Sequence, residues 1–162
     1  MDEARRAIET VRELAPRVGV GTNLVQTALE LVECADIDVV LLAGRYTLLD
    51  RSAAEELLPL CADRGIELVA AGVFNSGILA GGSTFDYRAA PPAILERHRA
   101  LEATCARYDV LLAAAAIQFP LRHPAVTSLV VGARTPEEIE EDIRLLHYPI
   151  PGELWLELDG SA

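Results

Sequence analysis

The chain has 162 residues, of which 51% are hydrophobic, so one domain with a buried core is expected. Its formal net charge of −11 disfavours nucleic acids and anionic membranes as partners. No apolar run approaches the roughly 20 residues that a membrane-spanning helix needs, and no secretory signal follows Met1, so the cytoplasm is the expected compartment.

The first half of the chain alternates between helical and strand patterns. Continuous apolar runs predict strands that are covered on both faces, and apolar residues at helical spacing predict amphipathic helices. The predicted elements are a helix over 2–17, a strand over 18–21, a helix from Leu24, a strand over 37–43, a helix opened by a capping box at 52–55 and closed at Gly65, and a strand over 66–71.

The second half begins with a longer surface excursion over 81–87 and continues with helices. Pro91 and Pro92 lead into a helix that runs through Cys105, and another helix over 110–119 is stopped by Pro120. The remaining expected elements are a buried strand over 126–131, a charged helix that begins after Thr135, and a tail over 149–162 with a short terminal helix.

The strand-to-helix junction after residue 131 carries the clearest local signal. Thr135 is a good N-cap, Pro136 suits the first helical position, and Glu138 completes a capping box. Ile139, Ile143 and Leu146 follow at helical spacing and predict one apolar stripe. The unpaired N–H groups of the helix N-terminus, with Arg134 beside them, predict an anion site; the alternative is an ordinary loop with a surface arginine.

The three cysteines and three histidines give no sign of a metal site. Cys34, Cys61 and Cys105 are odd in number and widely spaced, which predicts core thiols rather than a disulfide framework. The histidines have no carboxylate or cysteine at ligand spacing, so they are expected to be structural or solvent-facing. All 14 basic residues are arginine, and the chain has no lysine.

Strands that alternate with helices specify an α/β fold with a parallel sheet. Four strands suit neither a doubly wound domain nor a complete barrel, but both fold types place ligands at the carboxyl ends of the strands. The loops at those ends, over 21–23, 43–46, 72–76 and 132–135, therefore form one candidate surface.

Four sequence blocks in the right order carry a resemblance to a known family. VGVGTN, LLAGRYTLLD, GVFNSGILAGG and VVGARTPEEIEED resemble the aldo-keto reductases, and especially their NAD-using aldose dehydrogenase branch, over about Ala4 to Trp155. The resemblance implies a single domain over 1–162, the parallel four-stranded half of a (β/α)8 TIM barrel that contains strands five to eight with their helices.

The resemblance also implies which part of the enzyme this segment represents. Reductases of this family use a Tyr proton donor with Lys, Asp and His, all from the first half of the barrel. Neither Tyr46 nor Tyr87 matches the donor motif, so no catalytic residue is assigned to this chain. Tyr46 is instead expected at the floor of the substrate or cofactor pocket.

The cofactor cradle is what this half is expected to supply. In the family a Ser-Asn pair after strand five holds the nicotinamide amide, and the usual Gln and stacked aromatic residue align here with Ala43 and Ala71. Glu138 lies where members that prefer NADP place a basic residue, which favours NAD over NADP. The implied cofactor-binding residues are Thr22, Asn23, Phe74, Asn75, Ser76, Gly132, Ala133, Arg134, Thr135, Glu138, Glu141 and Asp142.

Three readings of the function remain open at this point. One is the C-terminal half of an oxidoreductase that transfers hydride between an aldose or aldehyde and a nicotinamide cofactor, inactive alone because its catalytic half is absent. Another is a non-catalytic half-barrel that dimerises or complements a separate first half, because four parallel strands leave two open edges. The third is a truncated gene product.

Overall fold

A computed structural model of the protein describes residues 2–160. Its main sheet has four parallel strands in the order β1-β2-β3-β6, which confirms the predicted α/β half-barrel. In chain order the elements are α1 (Asp2–Arg12), β1 (Gly19–Thr22), α2 (Val25–Cys34), β2 (Val39–Ala43), α3 (Leu57–Arg64), β3 (Glu67–Ala71), a 3-10 turn (Ile78–Ala80), β4 (Thr84–Phe85), β5 (Arg88–Ala89), α4 (Pro92–Arg107), α5 (Leu112–Gln118), a 3-10 turn (Phe119–Arg122), β6 (Val126–Val130), α6 (Pro136–Leu146) and α7 (Gly152–Gly160).

The helices cover one face of the sheet only. Val40, Leu42 and Leu68 are at most 1% exposed and join one core with residues of α2, α3, α5 and α6. The alternate residues of the same strands, among them Leu41 and Val69, are half-buried. The prediction that these strands are covered on both faces is therefore wrong, because successive side chains point to opposite faces and only one face carries helices.

A second core lies between the helices and the C-terminal tail. Leu154 and Leu158 of α7 are fully buried against residues of α4 and α5 and against Leu48 and Leu49 in the loop after β2. Arg51 also binds α7, because its guanidinium donates to the Leu158 carbonyl over 2.6 Å. The expected short helix in the tail is thus packed onto the domain as far as residue 160.

Several element boundaries differ from the predicted ones. The first helix ends at Arg12, well before Pro16, and the helix expected over 110–119 is the shorter α5. No capping box opens α3: Ser52 lies in a turn where Asp50 accepts its N–H and hydroxyl, and the helix begins only at Leu57. Gly65 does close α3, at a φ of 67° that favours glycine.

The last strand is not the buried strand that its apolar residues predict. Only Val126 is buried, whereas Val130 is 49% exposed, because β6 forms an edge of the sheet and pairs with β3 alone. The stripe expected on α6 is also largely uncovered, with Ile139 and Ile143 each about half exposed. The helix is held instead through buried Leu145 and through its contacts with α5.

The cysteines divide into two groups. Cys61 and Cys105 are core thiols as predicted, and burial raises the pKa of each to about 11. Cys34 is exposed at the end of α2, so the prediction of a core thiol is wrong there. None of the helices described over residues 2–160 has the length and apolar character to cross a membrane.

Candidate functional site

The loops at the carboxyl ends of β3 and β6 line an open cavity, called the larger cavity below. Its volume is about 1040 Å³, and the start of α5 and the sides of α4 and α6 complete its wall. The residues that line it are Phe74, Ser76, Gly77, Leu79, Ala80, Gly81, Gly82, Tyr87, His98, Glu102, Leu111, Leu112, Ala113, Gly132, Ala133, Arg134, Glu138, Glu141, Asp142 and Leu145.

Most of the predicted cofactor residues come together around this cavity. Asn23 and Asn75 line the smaller cavity of about 50 Å³ beside it, together with Gly44 and Arg45. Thr22 and Thr135 line neither cavity. The predicted cofactor residues that line the larger cavity are Phe74, Ser76, Gly132, Ala133, Arg134, Glu138, Glu141 and Asp142.

The N-terminus of α6 is capped by the side chains that its sequence predicts. Thr135 Oγ1 accepts the Glu138 N–H over 3.3 Å, and Glu138 in turn accepts the Arg134 N–H over 2.7 Å and its guanidinium over 2.9 Å. The pKa of Glu138 lies below its usual value, mainly because its carboxylate accepts the Arg134 N–H and to a smaller extent because it accepts the Arg134 guanidinium. A carboxylate of this chain thus already occupies the position predicted for a ligand anion.

The wall formed by α4 and α6 is acidic. Glu102, Glu138, Glu141 and Asp142 line the cavity, whereas Arg134 is the one arginine among its lining residues. Burial raises the pKa of Asp142, and the neighbouring charges of Glu138 and Glu141 raise it further. An acidic wall favours hydroxyl and amino groups of a ligand over anionic groups.

The loop after β3 is held from beneath by a buried polar pair. Asn75, 2% exposed, accepts the hydroxyl of fully buried Thr47 over 2.5 Å and donates to the Gly44 carbonyl over 3.3 Å. Asn75 has a φ of 45° and lines the smaller cavity but not the larger one. Asn75 therefore joins the loops after β2 and β3 and leaves the ligand side to its neighbours.

Arg45 ties three further segments together at the same rim. Its guanidinium donates to the Asn23 carbonyl over 2.9 Å and to Asp50 and Asp86 over 3.0 Å each. The Arg45 side chain is 20% exposed and that of Asp50 18%, so this network is partly shielded from water. The short hairpin of β4 and β5, which carries Asp86, is consequently attached to the ends of β1 and β2.

Tyr46 lies apart from both cavities. Its ring packs against Phe119 with centroids 5.1 Å apart, and His123 contacts it edge-on at 6.1 Å. Burial raises the pKa of Tyr46. This contact joins the loop after β2 to the segment before β6, which differs from the pocket floor expected for Tyr46.

Some residues of the site were missed by sequence reasoning. His98 and Glu102 lie one turn apart on α4 and line the larger cavity, and Tyr87 lines both cavities from the tip of the hairpin. The hairpin has only two residues in each strand, so its alternation is too short to detect in the sequence. In the described residues 2–160, no group of three or more His, Cys, Asp or Glu side chains could hold a metal ion.

Four parallel strands with helices on one face and a cavity at their carboxyl ends place the chain among the α/β half-barrels. The particular family follows from the sequence: residues 2–162 match the model of the Aldo/keto reductase family, and the chain belongs to that family.

Two characterised relatives and one solved structure agree with this assignment. The chain is 49% identical over 148 residues to a pyridoxal 4-dehydrogenase of Microbacterium luteolum, across 89% of this chain and 43% of that protein. It is 39% identical over 159 residues to a D-threo-aldose 1-dehydrogenase of a Pseudomonas species, across 94% and 48% respectively. The chain thus spans about half the length of these relatives.

The fold comparison gives the same coverage. An aldo-keto reductase of Bacillus halodurans superposes with a TM-score of 0.76 at 20% identity, over 99% of this chain and 56% of that one. Nearly the whole of this chain therefore has the fold of about half of that structure.

Proposed function

We propose that this chain is the dinucleotide-binding half of an aldo-keto reductase that transfers hydride between NAD and an aldehyde or an aldose. The observation that carries the proposal is the cavity of about 1040 Å³, around which the loops after β3 and β6 bring most of the predicted cofactor residues. Cavities that bind cofactors fall near this volume. The names of the two relatives, both dehydrogenases, support the reaction class.

Small residues leave room for the ligand. A Cβ added at Gly132 would meet no atom within 4 Å, so packing within this chain does not require a glycine there. Gly132 instead keeps space open beside Ala133 in the wall of the cavity. We assign this end of the cavity to the adenosine and its phosphates, with a ligand phosphate replacing the Glu138 carboxylate as the partner of the Arg134 guanidinium.

The acidic wall underlies the choice of NAD over NADP. A ribose hydroxyl can donate to the Glu138 carboxylate, whereas a 2′-phosphate would meet Glu138, Glu141 and Asp142 together. The proton donor of the reaction lies outside this chain in the proposal, because neither Tyr46 nor Tyr87 matches the donor motif of the family and the chain contains no lysine. This chain alone is thus expected to bind NAD without turnover.

Isothermal titration of NAD into the full chain, with two matched glycine variants, tests this function. Gly132→Val should weaken binding by filling the cavity, whereas Gly152→Val, whose added side chain also meets open space but at the start of α7, should leave binding unchanged. NADP should bind more weakly than NAD, and Glu138→Gln should reduce the difference between the two affinities. Equal effects of the two glycine variants would contradict the assignment of the cavity.

A second proposal concerns assembly, and uncovered apolar residues at one edge of the sheet favour it. Val130 on β6 and Ile139 and Ile143 on α6 are each about half exposed, and the inner face of the sheet is half-buried. We propose that further β/α units pack on this edge and complete the barrel, supplied either by a separate first half or by a second copy of this chain.

Sedimentation velocity of the full chain, alone and with a polypeptide that carries the first half of a family barrel, tests assembly. The double variant Ile139→Asp with Ile143→Asp should remove any dimer or complex. Leu156→Asp is the matched control, because Leu156 is 74% exposed on α7, away from the edge. A chain that sediments as a monomer, both alone and with the first-half polypeptide, would contradict this proposal.

A further inference from the structure

The carboxylate of Glu138 reaches further than a capping box requires. In that motif the glutamate at the third helical position accepts the N–H of the cap residue, which here is Thr135. Glu138 instead accepts the N–H of the preceding residue, Arg134, with Oε2 over 2.7 Å. Its other oxygen, Oε1, accepts the Arg134 guanidinium at Nη2 over 2.9 Å and at Nε over 3.3 Å. Both carboxylate oxygens therefore bind a single arginine.

The stability of the fold does not account for this contact. The Arg134 side chain is 90% exposed and that of Glu138 40%, so water screens the pair and it adds little to stability. The start of α6 is already capped by the Thr135 side chain. Both partners line the larger cavity, and Arg134 is the one arginine among its lining residues within the described chain. The contact thus neutralises the charge that an anionic ligand would bind.

The neighbouring carboxylates make the contact difficult to open without a ligand. Glu141 accepts the guanidinium of Arg144 over 2.5 Å, so within the described residues its charge has a cation of its own. Asp142 lies close enough for the charges of Glu138 and Glu141 to raise its pKa. A Glu138 carboxylate released from Arg134 would remain among these like charges, so the open arrangement needs a new donor for Glu138.

We propose that the contact between Arg134 and Glu138 is an autoinhibitory latch, in which Glu138 takes the place of a ligand phosphate until a dinucleotide supplies new partners for both side chains. The inference rests on the proposed function, in which a phosphate binds Arg134 and a ribose hydroxyl donates to Glu138. A carboxylate that bridges a backbone N–H and a guanidinium uses the same donors as the oxygens of a phosphate. The latch is closed in the free chain and open in the complex.

The latch selects ligands that carry both groups. Inorganic pyrophosphate provides anionic oxygens for Arg134 but no hydroxyl, so the displaced Glu138 carboxylate meets the charge of the ligand without a donor. A dinucleotide provides phosphates and ribose hydroxyls together, so each side chain exchanges one partner for another. The free energy needed to open the latch lowers the affinity of small anions, which are thereby kept from the site.

Titration calorimetry of the full chain with inorganic pyrophosphate and with NAD tests the latch. Glu138→Gln keeps an oxygen that can accept the Arg134 N–H, but it removes the charge that holds the guanidinium. This variant should bind pyrophosphate about two- to fivefold more tightly than the unaltered chain, which is the range expected for the loss of an exposed ion pair. Its NAD affinity should rise by less, because the ribose hydroxyl then donates to a neutral acceptor.

The dependence on Arg134 separates a latch from a general effect of charge. Glu137→Gln is the matched control, because it removes the same charge from the same turn of α6 at a residue that does not line the larger cavity. With Arg134→Gln as the background, Glu138→Gln should raise the affinity for pyrophosphate no more than Glu137→Gln does. Both single glutamate variants should melt close to the unaltered chain.

The outcomes distinguish the latch from the proposed function. NAD binding by the unaltered chain would uphold the dinucleotide site. A pyrophosphate affinity that is equal in Glu138→Gln and Glu137→Gln, or a gain that persists without Arg134, would then overturn the latch alone. Failure of both the unaltered chain and Glu138→Gln to bind NAD would overturn the proposed function and the latch with it. A much lower melting temperature of Glu138→Gln would assign the contact to folding and also overturn the latch.

Discussion

Replacement of Thr47 by valine should loosen the loops that form the rim of the site. The hydroxyl of Thr47 is completely buried and has three partners. It donates to Asn75 Oδ1 over 2.5 Å and accepts the N–H groups of Leu49 and Asp50 over 3.2 Å and 2.9 Å. Valine has nearly the same shape, so Thr47→Val removes these hydrogen bonds without leaving a large cavity.

The cost follows from the groups that lose their partner. A buried acceptor left without a donor, here Asn75 Oδ1, costs about 1–3 kcal/mol, and each lost backbone hydrogen bond costs about 1 kcal/mol. Asp50 is partly exposed, so water can replace some of its bond. The expected loss is about 3 kcal/mol, which lowers the melting temperature of a domain of this size by roughly 10 °C.

Urea unfolding followed by circular dichroism and by the fluorescence of Trp155 measures this loss. Thr47→Ser is the control, because it keeps the hydroxyl and loses only a methyl group, at a cost of about 1 kcal/mol. If Thr47→Val were as stable as Thr47→Ser, the hydrogen bond to Asn75 would not be what joins the two loops. Thr47→Val should also bind NAD more weakly, since the loop after β3 lines the cavity.

Three further outcomes are expected. The pKa of Asp38 lies below its usual value of 3.8, because its carboxylate accepts the Val18 N–H and the guanidinium of Arg12. These contacts therefore stabilise the fold above pH 3.8, and the stabilisation is lost as the pH falls below that value. Asp38→Asn should flatten the acid limb of a curve of unfolding free energy against pH, and an unchanged limb would contradict this. A thiol reagent at pH 8 should label Cys34 in the native chain and reach the other two cysteines, whose pKa burial raises to about 11, only after unfolding; rapid labelling of all three would show that the core is open. Arg51→Met should cost about 1–2 kcal/mol, because the contact with the last turn of α7 is lost, and an unaltered urea midpoint would count against that contact.

The local signals of the sequence were sufficient for the architecture. Apolar runs over 37–43 and 66–71, separated by a helical pattern, predict parallel strands, and the structure contains β2 and β3 at those places. The Thr135 cap and Pro136 define the start of α6 to the residue, because capping depends on side chains only a few positions apart. The order of the four loops likewise brings most of the predicted cofactor residues to one end of the sheet.

Contacts between distant segments decided the rest. Nothing near Asn75 in the sequence indicates that its side chain turns inward to Thr47, and nothing near Asp86 indicates its partner Arg45. The hairpin tip at Tyr87 is equally a product of tertiary structure, because its two-residue strands are held by Ser76 and by Arg45 rather than by their own pattern.

The sequence by itself determined which residues are apolar and at what period they recur, and this defined the strands, the helices and the end of the sheet where the larger cavity lies. Only the tertiary structure decided which apolar residues are covered. Ile139 and Ile143 have the spacing of a core stripe, yet about half of each is exposed, because burial depends on what packs against a helix and not on the helix alone.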